Sequence, residues 1–129
     1  MFKYITMAEI LAESNIYIIL DEPDLLHILS RTKGVPVVLY FTAAWCGPCQ
    51  QIKPKYCELS EKNKNILFLI IDIDQYHDIK VNIAADIINI PTFKYFYDGN
   101  FYTELNVVGA NFSELLTNFN KFKNIIRFN

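Results

Sequence analysis

Two apolar runs constrain the fold more than any other feature of the sequence. Residues 35–42 (VPVVLYFT) and 66–74 (ILFLIIDID) are dominated by branched and aromatic side chains. Such runs are typical of strands buried on both faces of a parallel sheet, because half-exposed strands alternate apolar and polar residues. The pattern of residues 47–62 is helical, with a kink expected at Pro54. The sequence therefore predicts a right-handed βαβ unit.

The remaining predicted elements complete an α/β layout. They are a strand at 16–20, a helix from the acidic cluster at 21–24 to Gly34, a shorter helix at 76–87, strands at 92–97 and 101–108, and a helix at 112–126. Asp98-Gly99, between the last two strands, is a strong hairpin signal. The order βαβαβαββα predicts a central mixed sheet flanked by helices on both faces. We place an N-terminal extension at 1–15 and one domain at 16–129.

Composition excludes several classes of protein. A chain of 129 residues with 52% hydrophobic residues is expected to form one domain with a sizeable core. A net charge of −2 argues against nucleic-acid binding. No segment approaches the ~18 apolar residues of a membrane span, and the first 15 residues lack the features of a secretory signal. We expect a cytoplasmic monomer without a nucleic-acid or membrane partner.

Two of the three cysteines stand three residues apart, in the stretch AWCGPC that follows a predicted strand. Residues at this spacing share a helix face, and their separation suits a disulfide. Gly47 allows a tight turn, and the fixed φ of Pro48 suits a first helical turn. Unpaired N–H groups and the helix dipole favour the thiolate of Cys46. The pattern predicts a redox pair, with Cys46 the exposed nucleophile and Cys49, one turn deeper, the resolving thiol.

Zinc binding is the alternative for a Cys-x2-Cys pair, but it needs two more ligands. The remaining candidates are Cys57, His27 and His77, and none of them forms a paired motif. We therefore expect no metal. Cys57 is interpreted as a partly buried idle thiol or a regulatory one, His27 as a residue at the edge of the core, and His77 as solvated.

Four stretches of the sequence resemble the thioredoxin family. They are FTAAWCGPCQQIKP at 41–54, IDIDQ at 71–75, IPTFKYFYDGN at 90–100 and VGAN at 108–111. WCGPC is specific to that family, and the other stretches follow in its order at about its spacings. The resemblance covers the chain from about Ile16 and implies the thioredoxin fold and the reduction of protein disulfides. It also implies a redox-active Cys46–Cys49 disulfide with no bound cofactor, reduced in turn by an NADPH-dependent flavoenzyme like thioredoxin reductase.

The resemblance also implies roles around the cysteines. Pro91 corresponds to the family's cis-proline, the alternative being an ordinary trans proline in a turn. Ile90 then offers its backbone to an extended substrate segment. Asp74 corresponds to the acid that steadies the Trp45 indole, or is simply a solvated carboxylate. The residues expected to line a flat apolar docking surface are Trp45, Gly47, Pro48, Ile90 and Gly109.

Two positions depart from the family pattern. Tyr40 stands where thioredoxins usually carry a buried Asp, and Ile70 where they carry its companion Lys. The usual Asp helps to remove the proton of the resolving thiol, whereas a tyrosine with a reference pKa of ~10 is no base at neutral pH. We interpret Tyr40 as a packing residue in preference to a hydrogen-bond donor. The departures leave open an adaptor module with slow redox activity, and a disulfide-forming oxidant ranks last.

Overall fold

One mixed sheet organises the part of the chain that the computed structural model describes, residues 14–74 and 89–127. Its strands are β1 Ile16–Ile19, β2 Val37–Thr42, β3 Leu67–Asp72, β4 Thr92–Tyr97, β5 Asn100–Phe101 and β6 Val107–Val108. The described helices are α1 Glu22–Leu29, α2 Gly47–Glu61 and α3 Phe112–Arg127, with a 3₁₀ turn at Thr103–Leu105. The strand order is β1-β3-β2-β4-β5, and β6 also pairs with β4. Strand β3 is parallel to β1 and β2, while β4 is antiparallel to β2, so the predicted βαβ unit and mixed sheet are confirmed.

Two predicted elements differ from the observed ones. Helix α1 ends at Leu29 rather than running to Gly34, because Ser30 caps it: its hydroxyl donates to the carbonyl of His27. The predicted strand at 101–108 is instead β5, the 3₁₀ turn and β6. The turn places Leu105, only 5% exposed, in the core, which explains why its apolar spacing looked like that of a strand. The predicted helix at 76–87 lies outside the described residues.

The core consists of two large apolar clusters, one on each face of the sheet, and a small one around the cysteines. Every residue of β2 is buried, and because neighbouring residues of a strand point to opposite faces, β2 contributes to both clusters. Tyr40 packs in the cluster that also contains Tyr56 of α2 and Phe119 of α3. Phe41 packs in the other cluster, together with Leu25 of α1. Helices therefore cover both faces, as predicted.

Asn15, the last residue of the predicted extension, contacts the end of α2 and the turn that follows it. Asn15 is 2% exposed, and its side-chain amide lies 2.7 Å from the carbonyl oxygen of Ser60 and 3.0 Å from those of Asn63 and Ile66. These three contacts anchor the start of β1 to the end of α2 and the turn before β3. Residues 1–13 of the predicted extension lie outside the described residues. None of the described helices combines the length and hydropathy needed to cross a membrane.

Candidate active site

The cysteine pair lies where β2 gives way to α2. Cys46 is the N-cap residue, with extended backbone angles, and the backbone N–H of Cys49 points at its Sγ over 3.2 Å. The N–H of Cys46 itself donates to the carbonyl of Ala43 over 3.1 Å. Pro48 lies in the first turn, where its missing N–H removes no helical hydrogen bond. The local sequence thus places the Cys46 sulfur against the electropositive end of the helix.

Cys46 and Cys49 form a disulfide, with their Cα atoms 5.2 Å apart. Cys46 is 6% exposed and Cys49 is fully buried. The prediction that Cys46 is exposed is therefore wrong for the disulfide-bonded state, although Cys46 is the more accessible of the two. Ala43, Ile73 and Ile90 pack around the pair, so the disulfide sits in an apolar setting.

Two turns close the rim of the site beside Cys46. The peptide bond between Ile90 and Pro91 is cis, the isomer that the resemblance implied, and Pro91 is buried rather than part of a surface. The carbonyl oxygen of Ile90 lies 3.9 Å from the Sγ of Cys46. Gly109 donates its N–H to the carbonyl of Pro91 over 2.8 Å and has a φ of +103°, which glycine adopts far more readily than other residues. The structure therefore brings Ile90, Pro91 and Gly109 together next to the disulfide.

Trp45 forms the exposed part of the rim, because its side chain is 70% accessible to solvent. Its indole Nε1 donates to the Oδ2 of Asp74 over 2.6 Å, which decides between the two interpretations of Asp74 in favour of the indole contact. The backbone N–H of Asp74 in turn donates to the Oδ1 of Asp72 over 2.9 Å. Sequence reasoning missed Asp72, although an Asp two residues before another turn residue is a recognisable Asx-turn signal.

Tyr40 lies directly beneath the resolving cysteine. It is fully buried, and its ring stacks on Phe93 at a centroid distance of 5.0 Å. Its hydroxyl donates to the carbonyl oxygen of Cys49 over 2.6 Å, so the preference for packing alone was wrong. Burial raises the pKa of Tyr40, and the Thr42 hydroxyl lowers it by less. Tyr40 is therefore a donor at neutral pH, while Ile70, its partner on β3, supplies no charge.

The remaining cysteine and the histidines, considered above as possible metal ligands, are not described as part of the site around the disulfide. Cys57 is a free, half-buried thiol, and burial raises its pKa. His27 is half-buried on α1, and His77 lies outside the described residues. Within residues 14–74 and 89–127, no group of three or more His, Cys, Asp or Glu side chains is arranged to hold a metal ion.

A disulfide that caps a helix between two parallel strands, with a cis-proline beside it, defines the class of thioredoxin-fold redox proteins. The family model described as Thioredoxin matches residues 25–121. The chain belongs to the thioredoxin family, and it is a thiol–disulfide oxidoreductase.

Individual relatives agree with this assignment. The chain is 41% identical over 100 residues to thioredoxin Asp f 28 of Aspergillus fumigatus, which covers 76% of this chain and 86% of the relative. A crystal structure of poplar thioredoxin h matches with 36% identity and a TM-score of 0.73, covering 83% of this chain and 95% of that one. A chain in the crystal structure of a ferredoxin:thioredoxin reductase–thioredoxin f2 complex matches with 31% identity and a TM-score of 0.75, covering 84% and 96%. The adaptor alternative receives no support from any of them.

Proposed function

We propose that Cys46 is the attacking thiol and Cys49 the resolving thiol in the reduction of protein disulfides. The Cys46 thiolate attacks one sulfur of a client disulfide, which forms a mixed disulfide and releases the first client thiolate. Cys49 then loses its proton and attacks the Sγ of Cys46. The Cys46–Cys49 bond forms, the mixed disulfide breaks, and the second client sulfur leaves. Two electrons have then passed from the protein to the client.

The observation that carries this proposal is the position of the Cys46 sulfur. It accepts from the backbone N–H of Cys49 at 3.2 Å, at the N-terminus of a helix of 15 residues. Both features stabilise a negative charge on sulfur and favour the thiolate that attacks. Cys49 has no exposed surface, which suits a thiol that reacts only with its neighbour.

The docking surface proposed for the client is the rim around Cys46. Trp45, Gly47 and Pro48 are exposed on one side, and Ile90 is half-buried on the other. The backbone carbonyl of Ile90, close to the reactive sulfur, can accept a hydrogen bond from an extended client segment, as in strand addition. Recognition through backbone and flat apolar contact tolerates many sequences, so we expect unrelated disulfide-containing proteins as clients.

The electron donor that we propose is an NADPH-dependent flavoenzyme of the thioredoxin reductase kind, and the compartment is the cytoplasm, where the protein acts as a monomer in redox homeostasis. A second candidate donor is a ferredoxin-dependent reductase, because a similar chain is found in a complex with such an enzyme. The two are distinguished by supplying the oxidised protein with NADPH and thioredoxin reductase, or with reduced ferredoxin and its reductase. The free thiol titre after each incubation identifies the donor.

The test of the proposed roles is the reduction of insulin by dithiothreitol, followed as turbidity. The wild-type protein is expected to accelerate precipitation, and Cys46→Ser is expected to remove the acceleration. Cys57→Ser is the matched control, since it removes a free cysteine of α2 that lies outside the disulfide. Equal acceleration by the Cys46→Ser variant would refute the assignment of the nucleophile.

A further inference from the structure

A pocket opens beside the first turns of α2, on the face of the sheet that α2 covers. Its volume is about 370 Å³. Thr42 and Asp72, which are neighbours at the ends of β2 and β3, line its floor, while Gln50 and Lys53 line it from the first turns of α2. Ile70, at the position of the family's usual Lys, is also part of its wall. The pocket therefore borders one of the two positions at which the family's charged pair is replaced.

The unpartnered hydroxyl of Thr42 indicates that the pocket holds a small polar molecule. Thr42 is 5% exposed, yet its Oγ1 is buried with no hydrogen-bond partner among the described residues. A buried hydroxyl left unsatisfied costs about 1–3 kcal/mol, and a pocket with polar walls and room for several molecules is expected to hold ordered water. The Thr42 hydroxyl also lowers the pKa of Tyr40, whose own hydroxyl donates to the carbonyl of Cys49, so Thr42 lies close to the group that contacts the resolving cysteine.

The resolving step requires a proton acceptor, and among the described residues the side chain that contacts the Cys49 carbonyl is Tyr40. Cys49 must lose its proton while it is fully buried. Tyr40 cannot take that proton, because it donates its own hydrogen to the Cys49 carbonyl. Among the side chains that line the pocket, Asp72 supplies the one carboxylate, while the other polar groups are an ammonium, an amide and a hydroxyl.

We propose that water held by Thr42 in this pocket carries the Cys49 proton to the carboxylate of Asp72. The inference rests on the proposed function of the cysteine pair. The Cys49 S–H bond breaks, and the proton passes through pocket water to Asp72. The Cys49–Cys46 bond forms as the bond between Cys46 and the client breaks, and the departing client thiolate is protonated from Asp72 or solvent. The carboxylate that receives the proton is thus that of Asp72 at the end of β3. In the family pattern it would instead come from an Asp at position 40.

The charged groups around Asp72 are consistent with this role. Lys53 faces the same pocket from α2, and Asp74 follows in the turn that one oxygen of Asp72 caps. The residues that β1 and β2 present to the pocket are the uncharged Ile18 and Thr42. One carboxylate oxygen of Asp72 is thus occupied by the turn, and the acceptor role falls to the other.

The experiment measures the lifetime of the mixed disulfide in a Cys57→Ser background, in which the cysteine pair supplies the reactive thiols. The reduced protein is mixed with oxidised glutathione, quenched with acid at successive times and analysed by intact mass. Asp72→Asn is expected to lengthen the lifetime roughly tenfold at pH 7, less than the ~10²–10⁴ of a directly bound base because water intervenes. The rate of first attack is expected to stay unchanged, and the lifetimes should converge at high pH, where hydroxide removes the proton.

Asparagine is the most specific substitution at position 72, because it removes the carboxylate but keeps the side-chain oxygen that caps the turn at Asp74. Thr42→Val, which removes only the hydroxyl, should lengthen the lifetime in the same direction. Glu61→Gln, an exposed acid at the far end of α2, is the matched control and should have no effect. If Asp72→Asn leaves the lifetime unchanged between pH 6 and 9, or slows attack as much as resolution, the proton path is refuted.

If Thr42→Val has no effect on the lifetime, the water site is refuted. A parent protein that never resolves the mixed disulfide would instead refute the proposed function.

Discussion

Replacing Tyr40 by phenylalanine tests how the resolving cysteine is held in place. The substitution removes one hydroxyl that donates to the carbonyl of Cys49 over 2.6 Å. The ring remains and keeps its contacts with Phe93 and Tyr56, at centroid distances of 5.0 and 4.8 Å. Because no apolar group is lost, the expected effect is that of one buried hydrogen bond.

The magnitude follows from that single contact. A buried hydrogen bond contributes about 0.5–1.5 kcal/mol net, and an acceptor left unsatisfied raises the cost towards ~3 kcal/mol. We expect the free energy of unfolding to fall by about 1–2 kcal/mol. For a domain of this size the melting temperature should fall by roughly 3–8 °C. Urea denaturation followed by far-UV circular dichroism measures the first quantity and calorimetry the second.

Measuring the stability loss in both the oxidised and the reduced protein makes the test more specific. The hydroxyl contacts a backbone carbonyl and not a sulfur, so the loss of stability should be equal in the oxidised and the reduced protein. Equal losses leave the reduction potential of the cysteine pair unchanged by thermodynamic linkage. Equilibration with glutathione buffers measures that potential, and a shift of 30 mV would correspond to about 1.4 kcal/mol.

Tyr56→Phe is the matched control in the same cluster. Its hydroxyl lies 3.1 Å from the carbonyl of Val38 and 2.9 Å from that of Leu69, away from the cysteines. It should lose similar stability without any effect on the site. A Tyr40→Phe variant that unfolds at the wild-type urea concentration, or that shifts the potential where Tyr56→Phe does not, would refute this account.

Three further predictions concern the same core and rim. Tyr40→Asp is expected to increase the turnover of insulin reduction, because it restores a base beside the resolving thiol, and equal or faster turnover by the wild type would contradict this. The free energy of unfolding should fall as the pH rises above about 10, because burial raises the pKa of Tyr40, Tyr56 and Tyr95 above that of unfolded tyrosine. The folded protein then binds more protons, and three such groups give a limiting slope of about 4 kcal/mol per pH unit, measurable by urea titration from pH 8 to 11. Gly109→Ala meets no atom within 4 Å but forces a side chain onto a φ of +103°, so it should lower stability by about 1–2 kcal/mol, and an unchanged melting temperature would argue against strain at that turn.

The sequence was most informative where a pattern had one structural interpretation. The apolar runs around Val38 and Leu69 are typical of strands buried on both faces, and both strands lie at the centre of the sheet. The pattern around Leu105 had two interpretations, since a strand and a short 3₁₀ turn can both bury Leu105 while Thr103 and Glu104 stay exposed. The outcome depended on α3, where Asn118 donates to the carbonyl of Leu105 over 3.0 Å. No local pattern contains such a long-range contact.

The same distinction applies to the candidate site. The placement of Cys46 and Cys49 at the start of a helix could be predicted because the motif and the helix start are adjacent in sequence. The contact from Tyr40 to Cys49 joins a strand to a helix, and packing against Phe93 fixes its distance. Asp72 could have been found from its Asx-turn spacing to Asp74, but its place beside Lys53 in the pocket depends on the packing of α2 on the sheet.

Position 40 shows how this chain balances stability against rate. A carboxylate there would be enclosed by Tyr56 and Phe93, and desolvation of its charge would destabilise the fold while raising its pKa towards that of a useful base. A tyrosine is neutral at the same place and adds a hydrogen bond to the helix that carries the cysteines. The proton of Cys49 must then leave by a longer route. Tyr40→Asp should consequently lower the free energy of unfolding while it increases turnover, and Asp72→Asn should slow resolution less in that variant than in the wild type, because the two carboxylates would serve the same proton.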